Sequence, residues 1–356
     1  MKRGFALLSL AFALGVAGAA GAPLQGGAYA VPALTAAALA ALALLFLLVC
    51  PASREGLIGF LLFFALGVMV YSTSALTAPM AVSPGWGRAA RGALRALVAR
   101  IEALPFAGAH TAPLLRALLA GDRAALTPGV TAAFRAAGAS HLLALSGLHL
   151  GILYLVFSRL FSVLGNRPGV CIVRSVVLVL LCVFYTWMTG GSPSLVRACL
   201  FVLIGETVRH FPGRRRSLTT VLLAALTLQL LFSPLSIRSV GFQLSYLAMA
   251  GIALVYPLLK DWYPAPQGGK NPFRWVWNSA ALSVSCQVFT APLVALRFGT
   301  FAPYFLLTNL LALPLTELLI LSALATLLLG PSTFLPALTD RLASLLVRLL
   351  EIISTM

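Results

Sequence analysis

Two histidines and a serine lie close together in HLLALSGLHLGILY, the run from His141 to Tyr154, whose other residues suit a lipid-embedded helix. Ser146 and His149, three residues apart, share one face of a helix, the placement a hydroxyl nucleophile and a general base would need. A nucleophilic role lacks its remaining parts, since the sequence offers no identifiable orienting acid or oxyanion hole. Two other uses stay open: hydrogen bonds between neighbouring helices, or a polar lining for a charged substance crossing the bilayer. His141 precedes His149 by about two helical turns, roughly 80° around the axis. Gly147 and Gly151 have the small-residue spacing that lets a second backbone approach.

Other polar groups interrupt apolar runs: Arg197 with Glu206, Gln243 with Ser245, and Asn309 with Glu317. A charge at the centre of a bilayer costs about 2.5–3.5 kcal/mol on insertion scales, which makes each a candidate functional group. Arg197 follows the break TGGSPSLVRA, where Gly190, Gly191 and Pro193 predict a tight turn and Ser192 or Ser194 can cap the next helix. Its guanidinium either snorkels outward or faces the interior, where it could meet a phosphate or an acid. Glu206 has Arg209 three residues on as a local ion-pair partner. Asn309, Pro314 and Glu317 break a run of Leu and Ala, as polar groups in broken helices do along transport paths.

Metal chemistry is not expected, because the four histidines form no HExxH and no cluster at ligand spacing. Cys50, Cys171, Cys182, Cys199 and Cys286 lie in or at the ends of apolar runs without a CxxC, and read as small core residues. No cofactor is predicted. No phosphate-binding P-loop is present, so an ATP-driven motor would be another chain.

The elements that must hold these residues are membrane helices. With 60% hydrophobic and 9% charged residues over 356 positions, the chain is far too apolar for a soluble domain. The expected fold is an all-α, polytopic integral membrane bundle of about ten transmembrane helices with amphipathic interfacial helices. The spans fall near 4–22, 30–50, 56–75, 141–163, 169–189, 193–211, 217–233, 239–259, 276–296 and 303–329. They divide the chain into N-terminal helices (1–75), an extracytoplasmic basic segment (76–140), a membrane core (141–330) and an amphipathic tail (331–356). The first 22 residues imitate a secretory signal, but the length of the apolar stretch favours a retained first helix.

On this count Lys2, Arg3, Arg54, Arg167, Arg209, Arg214, Arg215, Arg216, Lys260, Lys270 and Arg274 lie on one side. The positive-inside rule then places both termini in the cytoplasm. Between spans three and four, Arg88, Arg91, Arg95 and Glu102 share one helical face, and Trp86, Leu94, Leu97, Ile101 and Leu104 the other. That pattern predicts an interfacial helix, either anchored to headgroups or forming an electropositive vestibule for a polyanion. Gly108–Ala120 predicts a second short helix, and Thr127-Pro128 caps a third ending at Gly138. The net charge of +17 suits anionic lipid and polyanion alike.

Five blocks carry a resemblance: LLRALLAGDR (Leu114 to Arg123), AFRAAGASHLLALSGLHLG (Ala133 to Gly151), GGSPSLVRA (Gly190 to Ala198), VGFQLSYLA (Val240 to Ala248) and the stretch Asn309 to Pro314. They resemble, in order, successive blocks of the ComEC family, inner-membrane competence proteins that pass single-stranded DNA into the cell during natural transformation. The resemblance implies a DNA-translocating membrane channel rather than an enzyme. It marks Asp122, Arg123, His141, Ser146, His149, Arg197, Gln243, Ser245 and Asn309 as candidates for the substrate path, beside Ser192, Pro193, Ser194, Gly241 and Phe242. The basic face of Arg88, Arg91 and Arg95 would gather DNA, and Gly147 and Gly151 would pack helices.

Other uses stay open. Asp122 can equally cap a helix beginning at Arg123, and Gln243 and Ser245 can bridge helices. Longer family members carry an oligonucleotide-fold-like outer domain and a metallo-β-lactamase-like C-terminal domain. Only arginine-rich helices separate Ser74 from Leu114, and no HxHxDH occurs, so nuclease activity does not carry over and a short form holding the membrane core is expected. The implied partners are single-stranded DNA, membrane lipid, separate receptor, nuclease and motor proteins, and a second copy in an oligomer. A small-solute permease and a degenerate paralogue without transport stand as alternatives, the first without a convincing inverted repeat.

Overall fold

The computed structural model describes residues 2–21, 32, 55–77, 86–165, 167–210, 217–263, 272–299, 302–330 and 334–355. Among them the structure is helical with no strand. The helices are α1 (Lys2–Gly21), α2 (Glu55–Thr77), α3 (Trp86–Glu102), α4 (Thr111–Leu115), α5 (Pro128–Ala136), α6 (Gly147–Ser162) and α7 (Pro168–Met188). They continue with α8 (Pro193–Arg209), α9 (Leu218–Phe232), α10 (Val240–Leu254), α11 (Tyr256–Leu259), α12 (Pro272–Phe298), α13 (Phe305–Leu329) and α14 (Phe334–Ser354). A π-helical turn, Arg116–Ala120, extends α4, and a 3₁₀ turn, Pro234–Arg238, precedes α10.

The chain forms two units, Met1–Pro84 with Leu203–Tyr246, and Gly85–Val202 with Leu247–Met356. In the first, α1 packs on α2, on α9 and on the 3₁₀ turn. Glycines set the α1–α2 distance: a Cβ on Gly15 would fall 2.0 Å from the Phe64 carbonyl oxygen, and one on Gly67 2.2 Å from that of Phe12. Phe12, Val16 and Tyr71 are buried there. Arg238 donates to the Ala20 carbonyl at 2.8 Å and lies 5.6 Å from the Tyr71 ring centroid, placing a cation at the negative end of α1.

In the second unit, α13 and α14 pack together and join α4, the π turn, α5 and part of α6 in one core, with Ile101, Leu118, Phe134, Leu319, Leu346 and Leu350 at its centre. Leu142 and Leu143, in the loop before α6, are buried in the same core. A hydroxyl pair links the two long helices, the Thr339 hydroxyl donating to Ser322 Oγ at 3.2 Å. The neighbouring Asp340 carboxylate accepts the Ala107 and Gly108 N–H groups at 2.8 and 3.2 Å, tying α14 to the loop that leads into α4. Thr127 caps α5, its hydroxyl accepting from Val130 N–H at 3.4 Å, and Gly138 lies beyond the helix at φ +73°.

Six described helices are long and apolar enough to cross a membrane: Gly4–Gly21, Gly59–Leu76, Pro168–Met188, Val240–Leu259, Phe273–Phe298 and Phe305–Leu329. The expected span 30–50 lies outside the described residues, as do Arg54, the Arg214–Arg216 triplet, Lys270 and Cys50. Three more expected spans are shorter than the sequence pattern implied. Helix α6 starts at Gly147 and has 16 residues, α8 has 17 and α9 has 15, against about 20 for a full crossing. Six such helices stand among the described residues, and the expected count of about ten is not confirmed. At α6 the difference has a local cause, because apolar loop residues before it are buried against protein and mimic a longer hydrophobic helix.

Gly67→Val should force α1 and α2 apart, costing about 1–3 kcal/mol and lowering the melting temperature in detergent. Gly151→Ala, where an added Cβ meets nothing within 4 Å, should leave that temperature unchanged or slightly raised.

Candidate functional site

The serine–histidine pair opens a helix. Ser146 is the N-cap of α6, accepting Leu148 N–H on its hydroxyl at 3.3 Å, while His149 reaches back so that its Nδ1 accepts the Ser146 backbone N–H at 3.2 Å. The Ser146 hydroxyl also lies 3.0 Å from Nδ1. This is a capping box with histidine in the position usually taken by Glu or Gln. The backbone N–H can only donate, so Nδ1 is the acceptor and the ring proton sits on Nε2. Among the described residues that nitrogen is buried without a hydrogen-bond partner, and none of their acids orients the ring as a triad would require. His141 is placed before the helix and exposed, with Nδ1 3.1 Å from the Gly138 carbonyl oxygen.

The loop before α6 gathers the other blocks. Arg123 Nε donates to the Leu143 carbonyl at 3.0 Å. Ser192, directly ahead of α8, donates to the Leu145 carbonyl at 3.3 Å and accepts Leu195 N–H at 3.4 Å. Gly190 and Gly191 make the preceding turn with φ of +85° and +62°, conformations that favour glycine. A Cβ on Gly147 would lie 3.4 Å from the Ala198 Cβ and 3.7 Å from an Arg197 guanidinium nitrogen, so the start of α6 lies against the first turns of α8. Asp122–Arg123, Ser146–Gly147–His149 and Ser192–Arg197 thus meet around residues 143–147. The N-termini of α6 and α8 and the half-buried Arg197 share this junction.

Asp122 forms no helix N-cap. Its carboxylate accepts Ala124 N–H at 3.0 Å in a turn and pairs with Arg116, which also pairs with Glu102. The Arg116 hydrogen bond, then the one from Ala124, holds the Asp122 carboxyl below its ordinary value of 3.8. Arg116 and Asp340 were not distinguished by sequence spacing. The π turn brings Arg116 to Asp122 across six residues, a separation that 3.6-residue periodicity does not pair.

Gln243 donates from its side-chain amide to the Ile237 carbonyl at 2.9 Å, and Ser239 accepts Phe242 N–H at 3.2 Å, so this block ties the 3₁₀ turn to α10 in the first unit. Ser245 is buried. Next to it, Tyr246 donates to Gln229 Oε1 at 2.9 Å. In the second unit the Oδ1 of Asn309, in α13, is buried with no hydrogen-bond partner among the described residues, beside Thr308, whose hydroxyl donates to the Ala137 carbonyl at 2.7 Å. Arg88, Arg91 and Arg95 are exposed on α3, while Ile101 is fully buried and Leu94 and Leu97 pack against the core with α7. The apolar face of this helix is engaged with protein. Gly147 lies at a helix contact, whereas Gly151 is exposed with open space around it. Glu206 and Arg209 form their local pair at 3.3 Å. Among the described residues no three His, Cys, Asp or Glu side chains come together as a metal site.

These features define an all-helical chain with six helices apolar and long enough to cross a membrane, in which three of the five sequence blocks meet at a half-buried polar junction. A family model described as Competence protein matches residues 118–356, and the chain belongs to this family, the ComEC-type competence proteins. It is 38% identical over 137 residues, 37% of this chain and 17% of the relative, to ComE operon protein 3 of Bacillus subtilis (strain 168). It is 30% identical over 220 residues, 59% of this chain and 28% of the relative, to uncharacterized protein YcaI of Escherichia coli (strain K12). Competence protein ComA of Neisseria gonorrhoeae is 30% identical over 178 residues, 48% of this chain and 25% of that protein. The chain therefore spans under a third of the length of each of these relatives. No solved structure matches it.

Ser146→Ala should remove the cap and cost about 1 kcal/mol in thermal unfolding, while Ser146→Thr should retain most of it. The depressed Asp122 carboxyl gives an acid-side dependence. Its stabilising contribution is complete above the ordinary value of 3.8 and is lost as pH falls through the lower folded value. The melting-temperature difference between wild type and Asp122→Asn should hold steady above about pH 5 and shrink toward pH 3.

Proposed function

We propose that this chain is the membrane core of a DNA-uptake system, passing single-stranded DNA across the cytoplasmic membrane during natural transformation. Membership of the Competence protein family supports a role in natural competence. The observation that carries the finer reading is the meeting of three family blocks at the α6–α8 junction, with Arg197 beside the start of α6. A single strand presents a line of phosphates, and its passage through low dielectric calls for weak, repeated contacts with cations and helix N-termini rather than one deep site. Arg197 supplies the cation and α6 and α8 the amide dipoles.

The exposed Arg88, Arg91 and Arg95 form a basic face that would raise the local concentration of the strand before entry. Asp122 and Arg123 act structurally in this reading: one is paired with Arg116 and the other holds the loop on which the junction rests. In the proposed topology both termini are cytoplasmic. In this reading receptor, nuclease and motor activities act beside this core, and a second copy shares the path.

In a strain deleted for this chain, wild type should restore transformation and entry of labelled DNA. Arg197→Ala, at matched membrane abundance, should lower both at least about tenfold, the loss of roughly 1.4 kcal/mol of phosphate contact. Arg197→Lys should recover part of the activity. Unchanged entry in the deletion strain would refute the proposed function.

A further inference from the structure

In the second unit α6, α7 and α13, with Leu97 of α3 and Leu119 of the π turn, surround a cavity of about 190 Å³. Its walls are aliphatic, aromatic or thioether side chains apart from the His149 ring and the Tyr185 hydroxyl. The Tyr185 hydroxyl proton is already committed, donated to the Leu119 carbonyl at 2.8 Å. His149 is only 3% exposed, and its Nε2 has no partner among the described residues. Because Nδ1 accepts the Ser146 N–H, Nε2 carries a proton, and the lining residues leave a buried N–H donor without an acceptor. Water would be a poor occupant, since a buried water needs two to four polar partners.

The cavity follows α6 from His149 to Phe157, about 12 Å at 1.5 Å per residue. The donor is at one end, and the remainder is lined by residues such as Leu153, Phe157 and Phe184. An apolar cavity of about 150 Å³ takes benzene, so this one holds on the order of eight heavy atoms. A slender hydrocarbon with one acceptor at its end fits both the shape and the single polar group. We propose that the cavity binds a lipid acyl chain, with its carbonyl oxygen accepting from His149 Nε2 and its methylenes lying along α6. Phospholipid ester and free fatty acid share this chemistry. The site goes beyond DNA passage and does not depend on it.

The test uses the full chain, purified in detergent and irradiated in two arms, one with a diazirine-bearing fatty acid and one with a phosphatidylglycerol carrying the same chain. Peptide mapping should find label at Leu153, Phe157 or Phe184 above the level on Val173, Val176 and Leu180, which are exposed on α7. Leu153→Trp fills the cavity. His149→Asn keeps an acceptor near the position of Nδ1 and withdraws the donor from the cavity, with thermal melts checking that the helix start survives. Both variants should cut the cavity label about tenfold while leaving the α7 surface label unchanged. Label in only one arm assigns the source of the acyl group, and label in both assigns the shared carbonyl. Cavity label unaffected by both variants, or label confined to the α7 surface, overturns the proposal.

Discussion

The reciprocal hydrogen bonds between Ser146 and His149 decide where a buried loop becomes a helix. Unpaired amides at a buried helix start are costly, and this pair satisfies Leu148 N–H and Ser146 N–H with two side chains already on the helix. With the start of α6 pinned, the carbonyls of Leu143 and Leu145 can receive Arg123 and Ser192. The turn into α8 is thereby held beside α6, and Arg197 is carried to Gly147. A polar motif inside an apolar run thus acts first as the fixed point of a junction, and its chemistry follows from where it holds the neighbouring arginine.

The imidazole has a consequence that Glu or Gln would not. A carboxylate or amide at this position carries its second polar atom on the same terminal carbon as the capping atom, whereas an imidazole has a second nitrogen on the far edge of a ring. Capping with Nδ1 obliges Nε2 to carry a proton into hydrocarbon surroundings. The same residue links the polar junction on one side with the apolar cavity on the other.

Much of the architecture was legible in the sequence, for identifiable reasons. The arginine face of α3, the Thr127 cap and the glycine–proline turn before α8 follow from local periodicity and backbone preference, which depend on few residues. Helix ends around α6 were not legible, because Leu142 and Leu143 are buried by protein and hydropathy alone cannot distinguish that from burial by lipid. The Arg116–Asp122 pair needed the π turn, and the Asp340 contact to residues 107 and 108 joins positions more than 200 apart. Arg238 caps α1 from 218 residues along the chain, a contact local periodicity does not signal. The three family blocks gave residue types but no indication that they share one junction, which only tertiary contacts supply.

The central claim is that the α6–α8 junction faces the path of the strand. The most direct measurement places a photo-crosslinking residue at half-buried Ser194, in the first turn of α8, and irradiates cells while they take up labelled DNA. The account predicts covalent capture of DNA at position 194 and little at the exposed Val173 of α7. DNA entering normally with no capture at 194, or with equal capture at 173, would contradict it.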